Sequence, residues 1–357
     1  MILENVKLSH FRSYTKASFT FSKDITIILG KNTAGKSNLI ESLFLLATGK
    51  SFRAEKDIQM IHFGESVARV SGEVVGTDGK EMLEVVVTDP DAFTGTRVMS
   101  KRLIHNGVAR RRSDFAGILP ALLFVPSDLD IITSSPSKRR DFLDSVLEIT
   151  DRQYRLSLTA YEKAIRQRNA LLETVKEMGV RNEKQFSYWD ELVIKNGTYI
   201  TKMREELLEY FNTEKKSLLD LTVTYDHSYI SEERLLQYRA QESASGVTLV
   251  GPHRDDFYVD LVQGKEKKNA KTYGSRGQQR LVILQLKLLQ LSYMEKVLGE
   301  RPLLLLDDIF SELDQGHIED VLDVITKQQT VLSTTHEEFL GRGVEKDAVI
   351  LQLEKEG

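Results

Sequence analysis

The run Gly30-Lys-Asn-Thr-Ala-Gly-Lys-Ser37 has the spacing G-x-x-x-x-G-K-[ST] of a loop that holds phosphate. Glycine at 30 and 35 admits backbone angles that a side chain would forbid. Successive N–H groups from Gly30, Lys31, Asn32, Thr33, Ala34 and Gly35 can then turn inward around an anion. Lys36 can reach the β- and γ-phosphates of a nucleotide such as ATP, and Ser37 offers a hydroxyl to Mg²⁺. A glycine-rich surface turn could show the same letters, but the flanks argue against it. Ile25 to Leu29 is a short apolar, β-branched run that reads as a buried strand. Asn38 onward reads as a helix burying Leu39, Ile40, Leu43, Phe44 and Leu46. That helix would present its free N–H groups and positive dipole end to the same phosphate.

A phosphate loop needs an acidic partner, and Leu303-Leu-Leu-Leu-Asp-Asp308 supplies one. Four leucines predict a buried parallel strand, so Asp307 would emerge at the carboxyl edge where ligands bind. There it can hold Mg²⁺ together with Ser37. Asp308 is placed to accept a hydrogen bond from an attacking water, as general base or orienting group. The structural alternative is a capping pair at a strand end. Two carboxylates beside a buried strand are costly unless a cation or hydrogen bonds offset them.

Ser275, Gly277 and Gln278 precede a long apolar helix predicted over 281–298. A second helix start with a hydroxyl beside glycine is a second γ-phosphate site. On one chain the two helix starts would compete for one nucleotide. A head-to-tail pair of chains uses both, each nucleotide lying between the phosphate loop of one copy and the Ser275 segment of the other. Ser311-Glu-Leu-Asp314 would border the same nucleotide. His336 follows a strand predicted over 329–335 and could contact the γ-phosphate; taken alone it reads as an ordinary exposed histidine.

These groups sit in a chain of 357 residues, long enough for two domains. A net charge of −4 supplies no global attraction to nucleic acid, so any DNA contact must come from local basic patches. Arg110 to Arg112 and the lysines between 265 and 271 are two candidates; solvated faces are the plainer reading of both. There is no cysteine, which excludes disulfides and thiol catalysis and suits a reducing compartment. The N-terminus lacks the pattern of a signal peptide, and no apolar run reaches the ~18 residues of a membrane span. A cytoplasmic protein with no membrane partner is expected.

Strands are predicted at 2–8 and 17–29, joined by His10-Phe-Arg-Ser-Tyr14, either a packed turn or a nucleotide-facing link. Hairpins are predicted over 67–75 with 81–88, and over 96–105 turning at Asn106-Gly107. Short strands are predicted at 119–125 and 347–353, and Ser135-Pro136 should open a helix. From 141 to 245 glycine becomes scarce and apolar residues recur three and four apart, which predicts three or four long amphipathic helices.

The order phosphate loop, long insertion, Ser-x-Gly-Gln, Leu-Leu-Leu-Leu-Asp-Asp, strand and His resembles the ABC-type ATPase head of chromosome-maintenance and DNA-repair ATPases. A narrower resemblance, to the RecF family of bacterial DNA replication and repair proteins, spans nearly the whole chain. It is carried by Phe11-Arg-Ser-Tyr14, the loop 30–37, Gly107, Arg139-Arg-Asp-Phe-Leu-Asp144, Gln167-Arg-Asn-Ala-Leu-Leu172 and Trp189-Asp190. Gly251-Pro-His-Arg-Asp-Asp256, Gly277-Gln-Gln-Arg280 and Leu306-Asp-Asp308 complete it. The fold implied is α/β, an ABC-type P-loop ATPase head with an antiparallel β subdomain and an inserted α-helical arm lobe. The head would cover 1–140 and 246–357, and the arm 141–245.

The resemblance also implies an ATP-dependent homodimer on DNA at single- and double-stranded junctions, weak ATP hydrolysis, and cooperation with RecR and RecO in loading the recombinase RecA. Two departures stand out. Thr33 occupies a loop position where the family usually has glycine, and Ser127 stands where a glutamate or glutamine is usual, with Asp128 beside it as a substitute. The competing reading is the ATP-binding subunit of a membrane transporter, against which the ~100-residue helical insertion counts. A small-molecule kinase would leave Ser275, Gly277 and His336 without a role.

Overall fold

The structure, a computed structural model, describes residues 1–76, 79–93, 98–312, 326–335 and 348–353. Two compact units emerge, Met1–Asp128 with Met294–Gly357, and Leu129–Tyr293. The first opens with β1 (Ile2–Phe11), β2 (Tyr14–Thr20), β3 (Ile25–Leu29) and helix α1 (Lys36–Thr48). It continues through β4 (Val67–Gly76), β5 (Gly79–Thr88), β6 (Lys101–His105), β7 (Val108–Arg110), the short helix α2 (Arg112–Phe115) and β8 (Ala121–Phe124). The second contains α3 (Pro136–Thr150), α4 (Arg152–Met178), α5 (Glu183–Thr213), β9 (Leu221–Asp226), α6 (Glu232–Gln237) and α7 (Arg239–Ser245). Then come β10 (Asp256–Gln263), β11 (Glu266–Asn269), α8 (Ala270–Tyr273) and α9 (Arg276–Leu298). The chain returns to the first unit with β12 (Leu303–Asp307), β13 (Thr330–Thr334) and β14 (Ala348–Gln352).

Two sheets build the first unit. A five-stranded parallel sheet runs β14-β3-β13-β12-β8. Strands β3, β8, β12 and β13 are buried along their whole length. A parallel sheet covered on both faces requires such unbroken apolar runs. The other sheet is antiparallel, β2-β1-β4-β5-β6-β7, and alternates. Leu3, Val6, Leu8, Val70, Val74, Leu83 and Val85 point into a core shared with Leu39, Ile40, Leu43 and Leu46 of α1. Both expected hairpins are present. The second turns at Asn106 and Gly107, with φ of 49° and 78°, the positive pair that a two-residue hairpin turn demands. Its first strand starts only at Lys101, later than the predicted 96.

In the second unit the expected long helices are α3, α4 and α5. The stretch is not all helix, however. Leu221-Thr-Val-Thr-Tyr-Asp226 alternates with period two, buries Leu221 and Val223, and joins the antiparallel sheet β11-β10-β9. This unit is also wider than 141–245, because buried ion pairs tie its ends together. Arg139 grips Asp256 bidentately at 2.6 and 2.9 Å. Arg204 donates to Asp144, to Asp255 and to the Pro252 carbonyl. Arg168, with no exposed surface, donates to Asp190, Thr248 and Glu242 at 2.7, 2.9 and 2.7 Å.

Removing one member of such a set strands a buried charge. Arg168→Met should therefore destabilise the second unit by about 3–5 kcal/mol in urea unfolding followed by far-ultraviolet dichroism. Arg168→Met with Glu242→Leu should recover part of that loss, since Asp190 still lacks Arg168 and the Leu249 N–H loses its acceptor; a double variant as unstable as the single one would refute the pairing.

Candidate nucleotide site

Strand β3 delivers the chain into the loop at Gly30, and α1 begins at Lys36. A Cβ at Gly30 would lie 2.8 Å from the Leu353 carbonyl oxygen, and one at Gly35 would lie 2.8 Å from the Tyr14 hydroxyl. Gly35 also has φ of 95°. Both glycines are thus required by the chain's own packing as well as by any ligand. Tyr14 donates to the Gly35 carbonyl at 3.1 Å. Lys31, Asn32 and Thr33 are exposed, and Ala34 is half-buried. Thr33 has φ of 75°, a left-handed conformation that costs a β-branched residue about 1–2 kcal/mol. The departure noted in the sequence is therefore a strained position.

The Lys36 ammonium folds back across the loop, donating to the carbonyls of Gly30 at 2.6 Å and Lys31 at 3.1 Å. Burial lowers its pKa below the usual lysine value, while Asp308 and Asp307 pull it upward. A negatively charged ligand in the loop would add to that upward pull.

The acidic strand reaches the loop through register. Strand β13 lies between β3 and β12, pairing Thr334 with Leu29 and Ser333 with Asp307. The ends of all three strands therefore fall on one edge. Ser37 Oγ donates to Asp307 Oδ1 at 3.0 Å, and Ser333 Oγ donates to the same oxygen at 2.7 Å. These two hydroxyls are what make a carboxylate tolerable at 6% exposure. The Asp308 N–H donates to Ser333 Oγ at 3.1 Å, and Asp308 has φ of 50°. A hydroxyl and a carboxylate this close are hard oxygen donors of the kind Mg²⁺ takes. Among the described residues no group of three or more His, Asp or Glu could hold a metal, so protein ligands alone would leave its shell incomplete.

Phe11-Arg-Ser-Tyr14 resolves as a clamp on α1. Arg12 donates to both oxygens of Glu41 at 2.9 and 2.6 Å, and Glu41 is wholly buried. Ser51 donates to Glu41 as well, and Arg53 donates to Asn38, which donates to Ser13. Neither Glu41 nor Ser333 stood out in the sequence. Ser333 could have been found from its place opposite Asp307 on a neighbouring parallel strand. Glu41 could have been found only as a carboxylate on an otherwise apolar helix face.

Ser275, Gly277 and Gln278 belong to the second unit. Ser275 and Gly277 are exposed. Ser275 Oγ accepts from the Gln278 N–H at 3.3 Å, and Gln278 Oε1 accepts from the Ser275 N–H at 2.9 Å. That is a capping box, a structural use of both residues. A Cβ at Gly277 would meet nothing within 4 Å, so no internal contact demands glycine there. Asp128 Oδ2 accepts from the Val125 N–H, a local turn contact. Arg112 Nε donates to the Thr48 carbonyl, so the arginine triplet is partly turned inward. His336, Leu313 and Asp314 lie outside the described residues.

The model of the RecF/RecN/SMC N terminal domain matches residues 2–354. The chain is 33% identical to the DNA replication and repair protein RecF of Cyanothece sp. (strain PCC 7425 / ATCC 29141), over 94% of this chain and 92% of that one. The chain belongs to the RecF family. Two solved chains of the recombination mediator protein RecF in the RecFOR pathway, one with ATPrS and one with ATP, superpose with TM-scores of 0.85 and 0.83. They are 29% and 30% identical and cover 99% and 94% of this chain, and 96% and 92% of their own. RecF membership accounts for the motif order and displaces the transporter-subunit and kinase readings. Among the described residues no helix is long and apolar enough to cross a membrane.

Within this family frame the strained Thr33 is testable. Thr33→Gly relieves the left-handed strain and adds unfolded-state entropy, for a net gain of up to about 1 kcal/mol. Thr33→Ala keeps its Cβ and should gain little. Thermal melts of the three chains check this, and a Thr33→Gly chain that melts well below the parent would contradict it.

Proposed function

We propose that this RecF-family chain is an ATP-dependent DNA-binding switch of recombinational repair and replication-fork maintenance, and a weak, DNA-stimulated ATPase. The observation that carries the ATP reading is the Ser37–Asp307 contact of 3.0 Å on the rim of the phosphate loop. Lys36 and the backbone N–H groups from Gly30 to Gly35 would hold the phosphates. Ser37 and Asp307 would hold Mg²⁺, which when bound neutralises charge developing on the phosphates. Asp308 is the group assigned to accept from the attacking water. His336 is assigned to the γ-phosphate from its place in the sequence.

The second half of the site is assigned to another copy. Exposed Gly277 lacks an internal reason to be glycine, and close approach of a ligand to the backbone is such a reason. The capping box leaves the Ser275 hydroxyl proton and the Gln278 amide protons free to donate to phosphate oxygens. ATP binding would thus join two chains head to tail, and hydrolysis would release them. The solved relatives described in the RecFOR pathway support DNA, RecR and RecO as partners.

Mixing two defective chains tests the shared site. Lys36→Ala and Ser275→Arg should each lose ATP hydrolysis by at least about tenfold. Their equimolar mixture holds dimers with one intact site and should regain a measurable fraction of the parental rate. A mixture no more active than its components would show that each chain works alone.

A further inference from the structure

Phe63 is 98% exposed, the most exposed large apolar side chain among the described residues. Neither core packing nor turn chemistry accounts for it. The Glu65 N–H donates to the His62 carbonyl at 3.0 Å, and Gly64 has φ of 87°. Positive φ at the third position is what a type II turn requires, and its second position, where Phe63 sits, favours proline. The turn is firmly held. The His62 N–H donates to the His10 carbonyl, the Arg12 N–H donates to the Met60 carbonyl, and Ile61 bridges Phe11. The His62 ring also bonds the Arg12 carbonyl at 2.7 Å. Phe63 therefore projects from a backbone turn that is held in place. The residue anchoring its loop, Arg12, also grips Glu41 on the helix of the phosphate loop.

Beside this loop, the solvent face of the antiparallel sheet is basic. Ser9 pairs with Lys16 on one side and Arg69 on the other, Arg69 pairs with Val86, and Val86 pairs with Arg102. Lys16, Arg69 and Arg102 are exposed and lie in one row across four strand spacings, near the strand ends that carry His10 and Val67. Arg69 shares Glu84 at 2.6 Å; among the described residues Lys16 and Arg102 form no ion pair. An exposed aromatic on a held turn beside a row of cations, on a chain of net charge −4, matches a single strand whose phosphates are tracked and whose base is stacked.

We propose that Phe63 is a base-stacking residue: an unpaired nucleotide at a gap or tail stacks on its ring while neighbouring phosphates lie along Lys16, Arg69 and Arg102. This deepens, and rests on, the DNA-binding reading above.

The test is fluorescence anisotropy of the full-length chain with Mg-ATP, on a blunt duplex and on the same duplex with a single-stranded tail. Phe63→Ala should weaken binding to the tailed duplex about tenfold and change the blunt duplex less than twofold. Phe63→Trp should retain tailed binding. Unchanged thermal midpoints, expected for so exposed a side chain, exclude misfolding. Lys16→Gln with Arg102→Gln should weaken both DNAs and flatten the salt dependence. Parental chains that bind tailed DNA while Phe63→Ala binds it equally well would overturn the inference and leave the DNA-binding reading standing; that result would point to a protein partner for Phe63. Equal losses on both DNAs would also overturn it. A parental chain that binds neither DNA would remove the DNA-binding reading, and the inference with it.

Discussion

The interaction on which the site depends is a buried carboxylate shared by two hydroxyls. Asp307 is 6% exposed and has no cation bonded to it among the described residues; Ser37 and Ser333 hold it instead. The parallel sheet makes this possible. Because β13 lies between β3 and β12, the strand that feeds the phosphate loop and the strand that carries Asp307 are two spacings apart, about 10 Å. The first turn of α1 then spans the gap and brings Ser37 to the carboxylate. A one-residue slip of β12 would turn Asp307 to the other face of the sheet and break the contact.

That arrangement furnishes one wall of a nucleotide site and no more. The loop, its lysine and the acidic strand end all lie on one edge of one unit. The other recognisable phosphate-binding feature, the start of α9, belongs to the second unit and carries an exposed glycine with no internal reason to be glycine. The proposed head-to-tail pair would complete the site with a second copy, and nucleotide would then govern whether two chains are joined. Arg12 connects the same loop region outward. It links the helix behind the phosphates to the turn that projects Phe63, bonding Glu41 on one side and Gln59, Met60 and His62 on the other.

Much of this was legible in the sequence because it is local. Glycine spacing, four consecutive leucines before two aspartates, and the Asn106-Gly107 turn each carry their structure within a few residues. What failed to show depended on distant register or on backbone angles. Ser333 acquires its role only from pairing with Asp307. The Phe11 to Tyr14 link works because His10 and Arg12 both take positive φ, which no side-chain pattern announces. Strand β9 hid in a charged, helix-rich stretch because six residues are too few to outweigh their neighbours. The arginines of 139–144 and 167–172 and the aspartates of 251–256 carried the family resemblance, yet their geometry is a buried ion network that shapes the second unit. Phe63 is an apolar letter before a glycine in the sequence, and only its exposure in the fold sets it apart.

The central claim is that the phosphate loop of one chain and the Ser275 segment of another close on the same nucleotide. The chain has no cysteine, so two introduced thiols can report on it without interference. Lys31→Cys and Arg276→Cys chains, both altered at exposed positions, can be mixed and treated with a short thiol-bridging reagent. A covalent dimer that forms with Mg-ATP and not without it is the predicted result. No dimer with nucleotide, together with cross-linking inside a single chain that bears both substitutions, would contradict the account.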